Sequence, residues 1–361
     1  MSATGALGTL GSRLRLLVTL TRPPVLLLLA LYTALGEAGA GQAESKTLLL
    51  RAVLPVAAFL LFSVVLNDLA DEEIDRVNLP DDPRRPLAGG SVRAGGALRR
   101  EMLVVAAVAA AVALGGGLLL GLWPAVTVAT GLCVSAAYSL RPVRLANRGA
   151  VAALILPACY VAVPYLLGRL AAGPRPGGRD ALLLAGLYVG FIGRILLKDF
   201  RDVRGDALFG KRTFLVRHGR ELTCRFSAAC WTAGGVLLLA AVPHRTSAFV
   251  GVTALQLGAA LWLLNRLRSE THPRRETALI SALAIVGRGM IIVLLAHLST
   301  GQFHWSGPAQ SALLAALCLL TLGQAYSMVR YGPTSRLRVP ATEPSDSLAA
   351  RPSRRVRSSS R

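Results

Sequence analysis

Apolar stretches of nearly bilayer-spanning length follow one another along most of this chain, separated by short polar segments. A helix of about 20 apolar residues crosses the hydrocarbon layer of a membrane. Ten stretches approach that length, and the gaps near residue 123 and at 243–245 are the weakest divisions between them. The stretches cover 24–41, 48–67, 101–122, 124–140, 149–168, 181–198, 223–242, 246–265, 278–298 and 309–329. The pattern therefore predicts nine or ten transmembrane helices.

The same pattern indicates the fold class and the domain organisation. Backbone groups inside a bilayer have no water to bond, so each span has to satisfy its own hydrogen bonds as a helix. Runs of small residues, such as AAVAAAVALGGG at 106–117, favour close packing between such helices. We predict an all-α polytopic membrane protein in which residues 23–330 form one transmembrane domain. Residues 1–22 then form a cytoplasmic N-terminal arm, and the Ser-, Pro- and Arg-rich residues 331–361 form a disordered basic tail.

Composition and charge support a membrane location and give an orientation. The chain is 53% hydrophobic with a mean hydropathy of +0.53, which is too apolar for an ordinary soluble domain. With the N-terminus inside, 32 of the 40 Lys and Arg residues fall in inner loops and ends, and six fall outside. This asymmetry is the positive-inside pattern. The net charge of +21 therefore indicates attraction to anionic membrane lipid and no nucleic-acid partner. We expect a multi-pass protein of the cell membrane with its C-terminal tail in the cytoplasm.

An acidic segment follows the second apolar stretch directly. The sequence NDLADEEIDRVNLPDDPRRPLAGG occupies 67–90. Asp68, Asp71 and Asp75 have i, i+3, i+7 spacing and share one face of a helix, and Asn67 joins them through its i, i+4 relation to Asp71. Like charges stacked in this way repel each other. The spacing therefore predicts a bound cation between them.

The acidic spacing occurs a second time, in KDFRDVRGDALFGKRTFLVRHG at 198–219. Asp199, Asp202 and Asp206 repeat the i, i+3, i+7 arrangement at the end of another apolar stretch. Four predicted crossings separate the two clusters, so both emerge on the same side of the membrane. Charged side chains at a membrane are costly and indicate a functional site. The repeated spacing indicates that the chain consists of two similar halves whose acidic ends face each other.

Paired carboxylate clusters of this kind are typical of magnesium–diphosphate chemistry. Mg²⁺ prefers oxygen ligands and is commonly held by one or two carboxylates together with substrate phosphates. Metal ions and guanidinium groups stabilise the charge on a departing diphosphate. For an enzyme in a membrane we expect an isoprenoid diphosphate donor, because its allylic cation is resonance-stabilised and its tail dissolves in lipid. Basic residues near the clusters that can bind phosphate oxygens are Arg84, Arg85, Arg141, Arg144, Lys211 and Arg212.

These segments resemble the UbiA-type superfamily of intramembrane prenyltransferases. NDLADEEID is similar to that family's N-D-x-x-D-x-x-x-D motif, and RVNLPDDPRRPLAGG is similar to its stretch ending in R-P-L-x-x-G. KDFRDVRGDALFGKRT resembles its second aspartate motif with the trailing G-K-R-T. YSLRPVRLANRG at 138–149 and TRPP at 21–24 fit as well. The resemblance covers most of residues 20–220, and the last hundred residues carry no motif.

The resemblance implies a helical bundle around a central cavity, with the motif loops forming a cytoplasmic cap. It implies Mg²⁺-dependent transfer of a prenyl group from an isoprenoid diphosphate to an acceptor. In the family, the residue matching Arg85 contacts the diphosphate. The residue matching Tyr138 lies near the leaving group. The catalytic residues predicted here are Asp71, Asp75, Asp202, Asp206 and Tyr138. The predicted metal ligands are Asn67, Asp68, Asp71, Asp75, Asp199, Asp202 and Asp206. The predicted cofactor- and diphosphate-binding residues are Asn67, Asp68, Arg85, Arg141, Arg144, Lys198, Lys211 and Arg212.

The chain departs from the family pattern at three points. Many relatives carry a lysine in the basic loop, where this chain offers only Arg141 or Arg144. Lys198 replaces the asparagine that often precedes the second motif. A tenth span also exceeds the nine that are common in the family.

Two other functions are compatible with the sequence. A membrane terpene cyclase of the same superfamily would ionise the diphosphate and let the alkenes of the same chain attack. A transporter or lipid-binding protein with inverted repeats would place broken helices at mid-membrane, whereas these acids lie at span ends. The acceptor, aromatic or otherwise, is not fixed by any residue.

Overall fold

The chain folds as a set of membrane-length helices. The computed structural model describes residues 17–78, 87, 92–173, 176–200 and 213–332, and in that part of the chain all regular structure is helical. The helices are α1 Pro23–Gly39, α2 Lys46–Ala70, α3 Glu72–Asn78, α4 Val92–Leu120, α5 Leu122–Ser139, α6 Ala150–Pro157, α7 Val163–Ala171, α8 Gly178–Ile195, α9 Phe214–Ala241, α10 Ser247–Ser269, α11 Pro273–Gln302 and α12 Gly307–Tyr331.

The described helices match the predicted spans closely. A π-helical turn at Ala158–Ala162 joins α6 to α7, so that Ala150–Ala171 forms one span. Within the described residues, nine spans are long and apolar enough to cross a membrane, and α1 is a shorter apolar helix of 17 residues. The predicted all-α architecture with nine or ten membrane helices is therefore confirmed. The proposed division into arm, transmembrane domain and tail stays a prediction, because 1–16 and 333–361 lie outside the described residues.

Helix packing divides the bundle into two halves that α1 connects. In the first half α2 packs along α4 and also contacts α5, and in the second half α8 packs along α9. α1 lies against α7 and reaches α11 on its other side. Most helices carry apolar residues all round, as expected where one side faces lipid and the other faces protein.

The contact between α1 and α7 depends on two glycines. A Cβ atom built on Gly36 would lie 2.1 Å from the carbonyl oxygen of Tyr165, and one built on Gly168 would lie 2.1 Å from the carbonyl oxygen of Thr33. No side chain fits at these distances, so the two backbones meet directly. This is the close approach that small residues allow between helices in lipid.

The first acidic motif and the described start of the second lie at the same end of the bundle, which we call the acidic end. α2 and α8 both end there, and Asp71 and Asp199 follow their last turns. At the opposite end, the Gln302 side chain bonds the carbonyl oxygen of Ala38 and the backbone N–H of Ala43. The prediction that the two motifs emerge on one side of the membrane is consistent with this arrangement.

Candidate active site

The first acidic motif is a bent continuation of α2. The backbone N–H of Asp71 bonds the carbonyl oxygen of Asn67 at 2.9 Å, and that of Asp75 bonds the carbonyl oxygen of Asp71 at 2.8 Å. Helical hydrogen bonding therefore continues across the junction into α3. Asp68, Asp71 and Asp75 are 2%, 8% and 8% exposed, whereas Glu73 is exposed to solvent. The i, i+3, i+7 acids share the buried face.

Two arginines from distant parts of the chain meet this buried face. Arg22 Nη2 lies 2.9 Å from Asp68 Oδ1, and Arg144 Nη2 lies 2.9 Å from Asp71 Oδ1. Arg144 Nη2 also donates to the carbonyl oxygen of Ala70 at 3.0 Å. Each arginine has a left-handed backbone, with φ of 46° at Arg22 and 35° at Arg144, and each stands directly before a helical segment. The ion pairs bring the start of α1 and the 140–149 loop onto the acidic motif.

The structure distinguishes between the two arginines of the basic loop. Arg141 is exposed, whereas Arg144 is half-buried against the first motif. Arg22 was not among the predicted site residues. The signal that locates it is its position directly before the prolines that begin α1, on the same predicted side of the membrane as the acids.

The second acidic motif is described only at its start. Lys198 ends a 3₁₀ turn that extends α8, and Asp199 follows it, half-buried. The other predicted residues of this part of the site, and the arginine of the R-P-L stretch, lie outside the described residues: Asp202, Asp206, Lys211, Arg212 and Arg85.

Tyr138, on the last turn of α5, lies between the two motifs. Tyr138 and Lys198 together line two neighbouring cavities, of which one includes Asn67 and the other includes Asp199. The carboxylates of Asp71 and Asp199 both act electrostatically on the Tyr138 hydroxyl. The ends of α2 and α8 therefore face the space around Tyr138, which these two neighbouring cavities share.

The donor atoms at this space suit a hard cation in part. Asn67, Asp68, Asp71, Asp75 and Asp199 offer oxygen ligands, which Mg²⁺ prefers. Within the described ranges, however, no three acidic, histidine or cysteine side chains lie close enough together to surround an ion. The described side chains thus fit a metal that takes its remaining oxygens from a bound diphosphate or from residues after 200.

Comparison with known proteins decides the family. The family model described as "UbiA prenyltransferase family" matches residues 23–285, most of the chain. This chain belongs to the UbiA prenyltransferase family. A digeranylgeranylglyceryl phosphate synthase from Methanoculleus marisnigri is 32% identical over 222 residues, covering 59% of this chain and 72% of that protein.

Other family members lie at similar distances from this chain. The 34 kDa chain of a bacteriochlorophyll synthase from Chloroflexus aurantiacus is 27% identical over 225 residues, covering 62% of this chain and 69% of that protein. A homogentisate phytyltransferase from Synechocystis is 31% identical over 232 residues, covering 61% of this chain and 71% of that protein. The relatives are thus named for different acceptors and products.

Solved structures share the fold. A digeranylgeranylglyceryl phosphate synthase structure aligns with a TM-score of 0.59 at 16% identity, covering 80% of this chain and 99% of the other. A UbiA homologue from Archaeoglobus fulgidus, bound to DMAPP and Mg²⁺, aligns with a TM-score of 0.52 at 14% identity, covering 87% and 98%. The predictions of a UbiA-type helical bundle, a multi-pass membrane protein and a prenyltransferase are confirmed.

Proposed function

We propose that this prenyltransferase moves the prenyl group of an isoprenoid diphosphate to a lipophilic acceptor in a Mg²⁺-dependent reaction at the acidic end. The observation that carries the proposal is the position of Tyr138 between the start of the first motif and the start of the second. The Archaeoglobus fulgidus homologue is described with DMAPP and Mg²⁺ bound, which supports the same donor class and metal here.

The proposed roles follow from the chemistry of each side chain. Asn67, Asp68, Asp71, Asp75, Asp199, Asp202 and Asp206 hold metal and diphosphate, and when bound, Mg²⁺ neutralises the charge that develops on the diphosphate. Arg85, Arg144, Lys198, Lys211 and Arg212 bind the remaining phosphate oxygens. The hydroxyl of Tyr138 donates to the oxygen that leaves. Arg141 is exposed and, unlike Lys198, lines neither cavity beside Tyr138, so we assign it a weaker contribution.

In the proposed step, the bond between the allylic carbon and the diphosphate oxygen breaks, and its electron pair stays on the oxygen. The acceptor's nucleophilic atom forms a bond to the allylic carbon and loses a proton, which the released diphosphate takes up. An allylic cation reacts with any water it meets. The apolar side chains of Val64 and Leu156, which line the cavity beside Tyr138, limit that side reaction.

We also propose that the acidic end faces the cytoplasm. The asymmetry of Lys and Arg supports this orientation. The substrate tails then remain in the cell membrane, and water-soluble diphosphate leaves on the cytoplasmic side.

A donor-by-acceptor panel with product mass analysis tests the proposal. Purified enzyme in lipid nanodiscs receives C5 to C20 prenyl diphosphates, with and without acceptors, in Mg²⁺ or in EDTA. The expected result is acceptor mass increased by the prenyl group, in Mg²⁺ only. Cyclic hydrocarbons formed without acceptor would show a terpene cyclase instead. A protein that releases no diphosphate from any donor would contradict both enzymatic functions.

A further inference from the structure

The start of α9 lies at the proposed reaction site. Thr213, the residue that caps α9, is 7% exposed and lines the same cavity as Tyr138, Lys198 and Asp199. α9 also packs against the 3₁₀ turn that ends at Lys198. Side chains near the start of α9 can therefore hold the beginning of the second acidic motif in place.

Arg220, near the start of α9, contacts three other parts of the chain. Its guanidinium carbon lies 5.0 Å from the centre of the Phe200 ring. Its Nη1 donates to the carbonyl oxygen of Leu267 at 3.1 Å, and its Nη2 forms an ion pair with Glu276. Leu267 is on the last turn of α10, and Glu276 is on the first turn of α11. This one side chain thus joins the residue that follows Asp199 to the connection between α10 and α11.

A kink in α9 directly precedes Arg220. Gly219 has φ of 76° and ψ of 173°, which is not helical and is a conformation that favours glycine. The turn of α9 that begins at Thr213 and the turn that carries Arg220 therefore have different directions. The first reaches the cavity beside Tyr138, and the second reaches Leu267 and Glu276.

Phe200 is the apolar anchor of the second motif. It is 6% exposed and belongs to an apolar cluster with Leu215 of α9 and with Leu264 and Leu267 of α10. A guanidinium group over an aromatic ring at this distance adds a cation–π attraction to the apolar packing. Because Asp199 is the residue before Phe200, the position of its backbone depends on where the Phe200 ring is held.

Arg220 itself does not reach the cavities beside Tyr138. It lines neither of them, and its two terminal nitrogens bond Leu267 and Glu276. The carboxylate of Glu276 balances its charge. An effect of Arg220 on the reaction would therefore pass through Phe200.

We propose that Arg220 is a positioning residue for prenyl transfer. By holding Phe200, it keeps Asp199 where the second acidic motif can share one metal–diphosphate complex with the first. The inference rests on the proposed function. It also gives the connection between α10 and α11 a role in the reaction, although the last hundred residues of the chain carry no sequence motif.

Hydrogen exchange without substrate or metal tests how Phe200 is held. The native enzyme in lipid nanodiscs is compared with Arg220→Gln and with the matched control Arg225→Gln. Arg225 pairs with Glu221 at 2.8 Å on an exposed face of the same helix, where ion pairs contribute little. Amides at 196–200 should exchange about tenfold faster in Arg220→Gln, as the loss of one charge-assisted hydrogen bond allows. They should be unchanged in Arg225→Gln.

Kinetics distinguishes positioning from a general loss of stability. With a donor and acceptor that the panel identifies, Arg220→Gln should raise both the half-saturating Mg²⁺ concentration and the KM of the donor about tenfold. The KM of the acceptor should not change, and Arg225→Gln should leave all three values as in the native enzyme. A substitution that only reduces the amount of folded enzyme lowers kcat and moves none of them.

A second substitution tests whether Arg220 acts through Phe200. Phe200→Leu keeps an apolar side chain and removes the ring that the guanidinium group contacts. It should raise the same two values. The double variant should be no more impaired than the worse of the two single variants, because both remove one contact. Phe200→Leu also provides the test if Arg220→Gln does not fold.

Three outcomes would overturn the inference: unchanged exchange at 196–200 in Arg220→Gln, a lower kcat with the same Mg²⁺ requirement and donor KM, or additive effects in the double variant. Failure of the proposed function is a different result. A native enzyme that transfers no prenyl group, together with faster exchange in Arg220→Gln, would contradict the transfer reaction and still support the holding of Phe200 by Arg220.

Discussion

At the scale of single residues, two arginines neutralise buried aspartates of the first acidic motif. Asp68 and Asp71 are both buried, and each has an arginine at 2.9 Å that comes from another part of the chain. Removing one member of such a pair leaves an uncompensated buried charge. In the proposed function, phosphate oxygens take the place of a carboxylate as a partner of Arg144.

We expect Arg144→Gln to lower kcat/KM for the donor about tenfold or more, through the loss of a charge-assisted contact. Arg148→Gln is the matched control: Arg148 is exposed in the same loop, and its Nε bonds the Val143 carbonyl oxygen. Steady-state kinetics at saturating Mg²⁺ measures both. Equal effects of the two substitutions would show that Arg144 acts only through the general charge of the loop.

The sequence predicted the acids better than their partners. The i, i+3, i+7 spacing identified the shared face because helical hydrogen bonding continues through Asp71 to Asp75. Arg22 pairs with a residue 46 positions away, and only the packing of α1 against α2 brings them together. The apolar cavity lined by Tyr32, Arg194, Trp231 and Gly287 depends in the same way on four helices. Sequence patterns show only local periodicity, so they do not predict contacts between helices that are distant in the chain.

At the scale of elements, direct backbone contact fixes α1 against α7. Runs of small residues predicted close helix packing in general. Which glycine meets which carbonyl group depends on how α1 and α7 are aligned where they cross. Gly36 and Gly168 each face a backbone oxygen of the other helix, which cannot rotate away as a side chain can. The π-helical turn at Ala158–Ala162 lies just before this contact, so α1 also positions Tyr160, whose ring stacks on Phe191.

Gly36→Ala or Gly168→Ala is therefore expected to destabilise the protein by about 1–3 kcal/mol or more, the usual cost of overpacking. Gly251→Ala is the control, because Gly251 is exposed on α10 and an added Cβ would meet nothing within 4 Å. Thermal unfolding in detergent compares the three variants. Melting temperatures for the first two that match the control would mean that α1 and α7 pack less closely than described.

At the scale of the whole molecule, the helix bundle has its acidic residues at one end and an apolar cavity in its interior. The ten predicted stretches correspond to α1, α2, α4, α5, the α6–α7 span and α8 to α12, because membrane helices are set by long apolar runs that need no tertiary information. The acidic end gathers Asp68, Asp71, Asp75 and Asp199. The ring of Phe191, which lines an apolar cavity inside the bundle, stacks on Tyr160, which lines the cavity beside Tyr138.

The proposed orientation gives a labelling prediction. In a variant with Cys133 replaced by Ala, the other four cysteines are buried and give low background. Asn147→Cys, in the loop at the acidic end, should react with a membrane-impermeant maleimide only in inside-out vesicles, and His304→Cys, at the opposite end, only in right-side-out ones. The reverse pattern would place the acidic end outside the cell and contradict the assignment from positive charges.

The most direct test of the central claim is electron paramagnetic resonance with Mn²⁺ in place of Mg²⁺ and an unreactive thiolo analogue of geranyl diphosphate. We predict phosphorus hyperfine coupling to bound Mn²⁺ in the native enzyme and in Glu73→Gln, whose side chain lies off the buried acidic face. The coupling should disappear in Asp71→Asn and, separately, in Asp202→Asn, because in the proposed function both motifs hold one metal–diphosphate complex. Unchanged coupling in either aspartate variant would contradict a site shared by the two motifs.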